Sequence, residues 1–106
     1  MCGFVCLWKV DDVGGSLIET MLARLGHRGP DATQVARPRG VPLAMGHCRL
    51  AIIGAEDGVQ PIAVDSEILV ANGEIYNHGD LRAILDPDIF RTTSDSETIL
   101  HLFRSG

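Results

Sequence analysis

The sequence lacks an apolar run long enough to cross a membrane, since a transmembrane helix needs about 20 apolar residues. It also lacks the basic segment and apolar core that open a secretory signal peptide. Basic residues are few, because nine Lys and Arg stand against 14 Asp and Glu, for a formal net charge of -5. This balance argues against a surface for nucleic acid or anionic membrane. We therefore expect a cytoplasmic protein without nucleic-acid or membrane partners.

Cysteine is also scarce, with three residues in the chain. The pair Cys2 and Cys6 has no second half with which to bind zinc, and Cys48 stands alone. An odd number of cysteines in a cytoplasmic chain predicts free thiols and no metal site. We expect Cys6 and Cys48 to behave as small buried side chains.

What is present is typical of one small globular domain of 106 residues, with 45% hydrophobic and 22% charged residues. Short runs of apolar and β-branched residues, separated by Gly, Pro and Asn, predict strands. These strands are predicted at residues 3–10, 33–36, 42–47, 49–53, 67–71 and 89–92. The sequence shows no internal repeat and no low-complexity segment.

Three segments predict helices. Ser16 followed by Glu19 has the spacing of a capping box, and Gly26 follows the last apolar residue of that helical pattern. Ser94 followed by Glu97 repeats this spacing, so a helix is predicted over residues 95–104. A shorter helix is predicted over residues 80–85.

Cys2 is the first candidate for chemistry, because removal of Met1 would leave a thiol beside a free α-amine. The α-amine has a pKa of about 8 and the thiol one of about 8.5, so the amine can act as a general base for the thiol. This is the arrangement of an N-terminal nucleophile. The alternative is that Cys2 is an ordinary residue at the start of a buried strand.

Five further motifs accompany Cys2 in order along the chain. They are Arg28-Gly29-Pro30-Asp31, Gly46-His47-Cys48-Arg49-Leu50, Gln60-Pro61, Asn72-Gly73-Glu74-Ile75-Tyr76-Asn77 and Thr93-Ser94-Asp95-Ser96-Glu97. Together they resemble the class II glutamine amidotransferase domain, in the form found in glutamine-hydrolysing asparagine synthetases. The resemblance implies an α+β fold, the αββα sandwich of the N-terminal-nucleophile hydrolases. By this resemblance we expect residues 1–106 to be only about the first half of that domain, without a synthetase domain.

The resemblance also assigns roles in glutamine hydrolysis. Cys2 attacks the side-chain amide of glutamine. The side chain of Asn72 and the backbone N–H of Gly73 stabilise the oxyanion that forms, a role for which preorganised donors are effective. Taken alone, the Asn72-Gly73 dipeptide is equally typical of a hairpin turn.

The remaining assigned residues would bind the two charged ends of free glutamine. Arg49, at the junction of two predicted strands, suits the carboxylate, because a guanidinium can form a bidentate pair with it. Glu74 and Asp95 suit the ammonium, and Ile52 is a further substrate-binding position by resemblance. Alone, Arg49 reads as a strand-edge residue, Glu74 as a solvated acid and Asp95 as a first-turn helix acid.

Several neighbouring residues are given structural roles. Arg28 and Asp31 are expected to brace their loop with an ion pair. His47 is expected to pack and hydrogen-bond without acting as a base for Cys2. Cys6 departs from the family, whose members often carry glycine there, and so places a second thiol close behind the nucleophile.

The predicted function is hydrolysis of L-glutamine to glutamate and ammonia, without cofactor or metal, with a synthetase domain or subunit receiving the ammonia. An alternative is a truncated, catalytically impaired form that acts at most as a glutamine-binding or interaction module. A third is an amidase of the same mechanism that acts on other amides, which would not require both charge partners. Half a sandwich would expose apolar sheet surface. The chain is therefore expected to be a fragment, a truncated gene product, or a half-domain that self-association or another chain completes.

Overall fold

The computed structural model describes residues 1–9, 11, 15–50 and 57–106. Its elements in chain order are β1 (Gly3–Trp8), α1 (Leu17–Arg24), β2 (Ala32–Ala36), β3 (Leu43–Arg49), β4 (Ile62–Val64), β5 (Glu67–Leu69), α2 (His78–Ile84), a 3-10 helix (Pro87–Ile89) and α3 (Glu97–Ser105). The strands form two antiparallel sheets. The described part of the chain is therefore a small α+β domain, as predicted.

The larger sheet has β3 in its centre, with β1 and β2 antiparallel on either side. Val5 lies opposite Gly46 in the β1–β3 register, so both face the same side of the sheet. Helix α1 packs on this side, where Ile18 and Leu22 are buried. A Cβ atom on Gly46 would lie 2.4 Å from Leu22 Cδ1. Glycine at this position therefore permits the close approach of helix and sheet.

The opposite side of the larger sheet exposes apolar side chains. Burial alternates along β1, so that Phe4 and Trp8 remain 48% and 53% exposed. Cys6 lies on the same side and is exposed. The expectation that Cys6 is buried was wrong, because the strand alternation turns it away from α1. Cys48 is fully buried, as expected.

The smaller sheet is the β4–β5 hairpin, which packs against α3. Ile62 and Val64 form a second core cluster with Leu100 of α3. Arg104 near the end of α3 contacts the carboxylates of Asp65 and Glu67, at 2.6 Å and 2.7 Å. This hairpin and helix border the segments that carry the functional site.

The strand predictions needed two main corrections. One strand, β3, runs without interruption from Leu43 to Arg49, so the predicted break between residues 47 and 49 is absent and Arg49 ends this strand. Residues 51–53 of the predicted next strand lie outside the described residues. The strand predicted at 89–92 was wrong, because the chain forms the 3-10 helix and the backbone N–H of Thr92 is used by the carboxylate of Glu97. The strand predicted at 67–71 is present but ends at Leu69.

The predicted helices are present, but their capping boxes are not. Ser16 precedes α1 without a side-chain capping hydrogen bond, and Glu19 pairs instead with Arg37 at 2.7 Å. At α3 the residue before the helix is Ser96, again without a side-chain cap. The carboxylate of Glu97 accepts hydrogen bonds from the preceding loop, which leaves the predicted partnership with Ser94 unformed. Helix α2 agrees closely with its prediction.

Within the described ranges, none of the helices has the length and apolar character that a membrane crossing requires.

Candidate functional site

A cavity of about 260 Å³ opens where the start of β1 and the end of β3 meet three loop segments. These strand ends and loops come from distant parts of the sequence, and the two sheets bring them together. Its lining is formed by Met1, Cys2, His47, Arg49, Leu50, Gly58, Gln60, Ala71, Asn72, Gly73, Glu74, Ser94, Asp95 and Ser96. Among the described residues, the lining combines a thiol, a guanidinium, an imidazole, two carboxylates and two side-chain amides.

Cys2 is held in this cavity through both its side chain and its backbone. The backbone N–H of Leu50 donates to Cys2 Sγ across 3.3 Å. The Nε–H of Arg28 donates to the backbone carbonyl of Cys2 across 3.1 Å. The thiol is partly exposed, so a ligand in the cavity can reach it. These contacts fix the residue on two sides.

The contact from Arg28 corrects an expectation. The ion pairs of the described part of the chain do not include Arg28 with Asp31. Instead, the backbone N–H of Asp31 donates to the carbonyl of Arg49 across 2.9 Å, which holds this loop on the end of β3. Arg28 does not brace the loop as predicted, because its guanidinium reaches the backbone of Cys2 beside the cavity.

The end of β3 supplies two buried polar side chains to the cavity. His47 and Arg49 are two residues apart in the strand, so both side chains project from the same side of the sheet. His47 is 1% exposed and Arg49 is 6% exposed. The interpretation of Arg49 as a strand-edge surface residue therefore fails. A buried guanidinium in a cavity wall suits an anionic group of a ligand.

His47 contacts the residue before the Asn72-Gly73 dipeptide. Its Nε2 lies 3.2 Å from the backbone oxygen of Ala71. Burial lowers the pKa of His47, although the contact with Ala71 raises it, and the charge of Arg49 lowers it further. The imidazole is therefore neutral at pH 7. As expected, His47 is a buried, hydrogen-bonding residue.

The dipeptide itself lies at the cavity mouth and is exposed, as is Glu74. It does not form the hairpin turn that its sequence equally predicts, because β5 ends at Leu69 and the chain continues into α2. The Asn72 side chain and the backbone of Gly73 are thus available to a ligand.

Asp95 faces the cavity at the start of the segment that leads into α3. Its Oδ2 accepts a hydrogen bond from the backbone N–H of Ile75 across 2.6 Å. Its Oδ1 accepts one from the backbone N–H of Ser96 across 2.9 Å. Asp95 lies before the first turn of the helix, which begins at Glu97. Its carboxylate therefore joins two cavity segments and does not simply cap a helix.

The loop before Asp95 is fixed by two other carboxylates. Glu97 is fully buried and accepts hydrogen bonds from the backbone N–H groups of Arg91 and Thr92 and from the Thr92 hydroxyl. Burial raises the pKa of Glu97, but these bonds and the contact with His101 together lower it below the usual range. Asp57 accepts two hydrogen bonds from Thr93, which lower its pKa.

The structure brings together nearly all the predicted site residues. Cys2, Arg49, Asn72, Gly73, Glu74 and Asp95 all line the cavity. Ile52 lies outside the described residues.

Sequence reasoning missed two further features of the site. The backbone N–H of Leu50 could not have been found from residue types. Gln60 is uncharged and has no reactive group, so it was noted only as part of the Gln60-Pro61 motif. Within residues 1–9, 11, 15–50 and 57–106, no group of three or more His, Cys, Asp and Glu side chains is arranged to hold a metal ion.

Comparison with known proteins agrees with this geometry. A family model described as a glutamine amidotransferase domain matches residues 1–106. Asparagine synthetase (glutamine-hydrolyzing) 2 of Oryza sativa subsp. japonica is 41% identical over 108 residues, which cover 97% of this chain and 18% of the relative. A probable asparagine synthetase (glutamine-hydrolyzing) of Schizosaccharomyces pombe is 46% identical over 110 residues, covering 98% of this chain and 19% of the relative.

A probable enzyme of the same description from Dictyostelium discoideum is 40% identical over 111 residues, covering 97% of this chain and 20% of the relative. The chain thus spans about a fifth of the length of the curated relatives it matches. The match of the family model runs through every segment that lines the cavity. The chain belongs to the glutamine amidotransferase domain family and is homologous to the glutamine-hydrolysing asparagine synthetases.

Proposed function

We propose that the cavity binds L-glutamine and that the protein hydrolyses its side-chain amide to glutamate and ammonia. One observation carries the proposal: a partly exposed thiol shares a single cavity with a buried guanidinium and two carboxylates. A thiol suits attack on an amide, and the charged groups suit the two ends of a free amino acid. The relatives, which are named as glutamine-hydrolyzing, support the same reaction.

The charged side chains explain selection of an amino acid over other amides. Arg49 pairs with the substrate carboxylate, and its burial strengthens that pair relative to one in water. Asp95 and Glu74 receive the ammonium. Asp95 already accepts two backbone hydrogen bonds. Each carboxylate oxygen has a further lone pair, so the ammonium can still bind there.

The reaction begins with loss of Met1, which is 70% exposed and lines the cavity beside Cys2. Its removal unmasks an α-amine next to the thiol. The amine takes the thiol proton as Sγ bonds to the amide carbon. The intermediate then collapses, the C–N bond breaks, and the proton passes to the departing ammonia. Water attacks the resulting thioester, releasing glutamate and restoring the thiol.

The negative oxygen of each tetrahedral intermediate is stabilised by the Asn72 side-chain amide and the backbone N–H of Gly73. Both residues line the cavity with Cys2. Losing one donor of this kind typically costs about 2.7–4 kcal/mol in the transition state. The donors are neutral, so they favour the oxyanion without competing for the substrate carboxylate.

We further propose that residues 1–106 are the N-terminal part of an αββα glutaminase domain of the N-terminal-nucleophile hydrolase type. The exposed apolar side of the larger sheet, with Phe4 and Trp8, supports a second sheet packed there. It would be supplied by another segment of a longer chain, by another subunit or by a second copy. A synthetase domain or subunit in the cytosol would receive the ammonia and amidate an activated acid such as aspartate.

The same exposed surface favours a second candidate, a glutamine-binding or interaction module that does not turn over substrate. A protein that needs a covering layer for its sheet can retain a cavity and yet hold its donors too loosely for catalysis. Glutamine would then bind without release of ammonia.

The test is to incubate the protein lacking Met1 with glutamine and to measure both products. Equal molar amounts of glutamate and ammonia, abolished by Cys2→Ala, are the expected result. Bound glutamine without ammonia would favour the binding module. Equal rates from the wild type and Cys2→Ala would exclude Cys2 as the nucleophile.

A further inference from the structure

Two buried side chains hold the backbone of Ala71, and the reaction described above uses neither of them. The Oε1 of Gln60 accepts the backbone N–H of Ala71 across 2.6 Å. The Nε2 of His47 lies 3.2 Å from the backbone oxygen of the same residue. Gln60 is 8% exposed and His47 is 1% exposed, so each contact is made by a buried side chain. Ala71 is thereby fixed at both of its polar backbone groups.

The contact with His47 determines its tautomer. A carbonyl oxygen only accepts hydrogen bonds, so Nε2 must carry the proton and donate it. Nδ1 is then an acceptor, and it is buried without a hydrogen-bond partner among the described residues. The imidazole therefore donates its Nε2–H to the backbone oxygen of Ala71.

Ala71 directly precedes the two oxyanion donors, which are exposed at the cavity mouth. On their other side, the N–H of Ile75 is held by Asp95. Residues 72–74 are thus suspended between an anchor at Ala71 and an anchor at Ile75. The orientation of the Gly73 N–H depends on these anchors.

The Ala71 anchor is also tied to the nucleophile through β3. His47 lies in this strand, and Leu50, directly after the strand, donates its backbone N–H to Cys2 Sγ. The end of β3 therefore positions both the sulfur of Cys2 and the segment that carries the oxyanion donors.

We propose that His47 and Gln60 are positioning residues, which hold Asn72 and Gly73 in register with Cys2 through the backbone of Ala71. This inference rests on the proposed function, in which Asn72 and Gly73 stabilise the oxyanion. Loss of either side chain frees one polar group of Ala71 and lets the donors move away from the reacting carbonyl. A displacement of about 1 Å can reduce a rate by about 100-fold.

The experiment compares the full chain lacking Met1 with His47→Leu, Gln60→Leu, the conservative His47→Gln and the control His27→Leu. His27 is exposed and has no part in the site. Hydrogen exchange of the Ala71 amide, whose N–H is bonded to Gln60, reports how firmly the segment is held. The rates of Cys2 alkylation by 6-diazo-5-oxo-norleucine and by iodoacetamide report the pocket and the thiol separately, because only the first reagent resembles glutamine and carries a carbonyl in the position of its amide.

We expect His47→Leu and Gln60→Leu to accelerate exchange of the Ala71 amide and to slow alkylation of Cys2 by the glutamine analogue by about 100-fold. The iodoacetamide rate should stay within about twofold of wild type, since the thiol itself is unaltered. His47→Gln retains an N–H donor in the place of Nε2 and should recover most of the loss. His27→Leu should match the wild type in every measurement.

Unchanged rates with the glutamine analogue in folded His47→Leu and Gln60→Leu proteins would overturn the inference. An equal loss with both reagents would also overturn it, because the thiol would then be affected directly. If the wild type did not react with the analogue at all, the proposed function would fail. Exchange of the Ala71 amide would then decide whether the anchor exists: faster exchange in the variants supports it, and unchanged exchange overturns it.

Discussion

The guanidinium of Arg28 donates its Nε–H to the backbone carbonyl of Cys2 across 3.1 Å. A residue in the loop between α1 and β2 therefore holds the N-terminal residue whose thiol lies in the cavity. The carbonyl belongs to the peptide that leaves Cys2, so removal of Met1 leaves this contact in place. The proposed mechanism requires such a hold on Cys2 once Met1 is removed.

Arg28→Ala should therefore reduce turnover of glutamine by about 10- to 100-fold with a smaller change in KM. Arg28→Lys should not restore it, because a flexible ammonium does not reproduce the planar guanidinium at this carbonyl. Steady-state kinetics measure both constants. Arg24→Ala, in the exposed last turn of α1, is the control. Wild-type kcat in folded Arg28→Ala would show that the contact has no catalytic consequence.

Gly29 and Gly79 form a matched pair for testing the fold around this contact. A Cβ on Gly29 would lie 2.4 Å from the backbone of Cys48, whereas one on Gly79 meets nothing within 4 Å. Gly29→Ala should destabilise the protein by about 3 kcal/mol, because the neighbouring backbone must move. Gly79→Ala, in α2, should stabilise it by about 1 kcal/mol through helix propensity. Urea denaturation measures both, and equal effects would contradict the packing described.

Arg49 provides the sharpest test of substrate recognition. On a Cys2→Ala background, which retains the pocket but not the thiol, Arg49→Lys should raise the Kd for glutamine by about 10- to 100-fold. A lysine keeps the charge and loses the fork that matches a carboxylate. Calorimetry measures the affinity, with exposed Arg39→Lys as the control. An unchanged Kd would show that Arg49 does not bind the substrate carboxylate.

Glu97 makes stability depend on pH in a defined direction. Its pKa is lowered in the native protein, because the hydrogen bonds from Arg91, Thr92 and His101 outweigh the effect of burial. A carboxyl with a lowered native pKa contributes its full stability above the unfolded pKa of about 4.3 and loses it as pH falls through the native pKa.

Glu97→Gln should accordingly reduce stability by about 2–3 kcal/mol at pH 7, since an amide cannot accept all of these bonds. The difference from wild type should shrink as pH is lowered from about 5 to about 3. Urea midpoints at several pH values measure the difference, with Asp88→Asn as an exposed control. A difference independent of pH would contradict the role given to the carboxylate.

The sequence predicted the parts of the fold that depend on local pattern. Apolar runs predicted β1 and β3 as strands, and an amphipathic pattern predicted α1 as a helix. Glu97 shows where local pattern fails: its spacing from Ser94 predicts a capping box, but its buried carboxylate satisfies the preceding loop instead. Such a choice depends on tertiary packing, which residue spacing does not encode.

The candidate site was predictable because most of its residues are chemically distinctive, and the structure gathers five of their side chains and the backbone of Gly73 around one cavity. Its supporting contacts were not. Arg28, Gln60 and Leu50 act on or through backbone groups, and backbone partners leave little trace in residue type. Cys6 was wrongly expected to be buried. Which side of the sheet is buried depends on where α1 packs, and the residue type does not show this.

The central claim is that Cys2, without Met1, is a nucleophile in an assembled glutamine pocket. The most direct test is the intact mass of the purified protein before and after 6-diazo-5-oxo-norleucine, with the modified residue identified by peptide mapping. The account predicts a starting mass without Met1 and a single adduct on Cys2 that excess glutamine prevents. No adduct on a folded chain lacking Met1, or an adduct on exposed Cys6 that glutamine does not prevent, would contradict it.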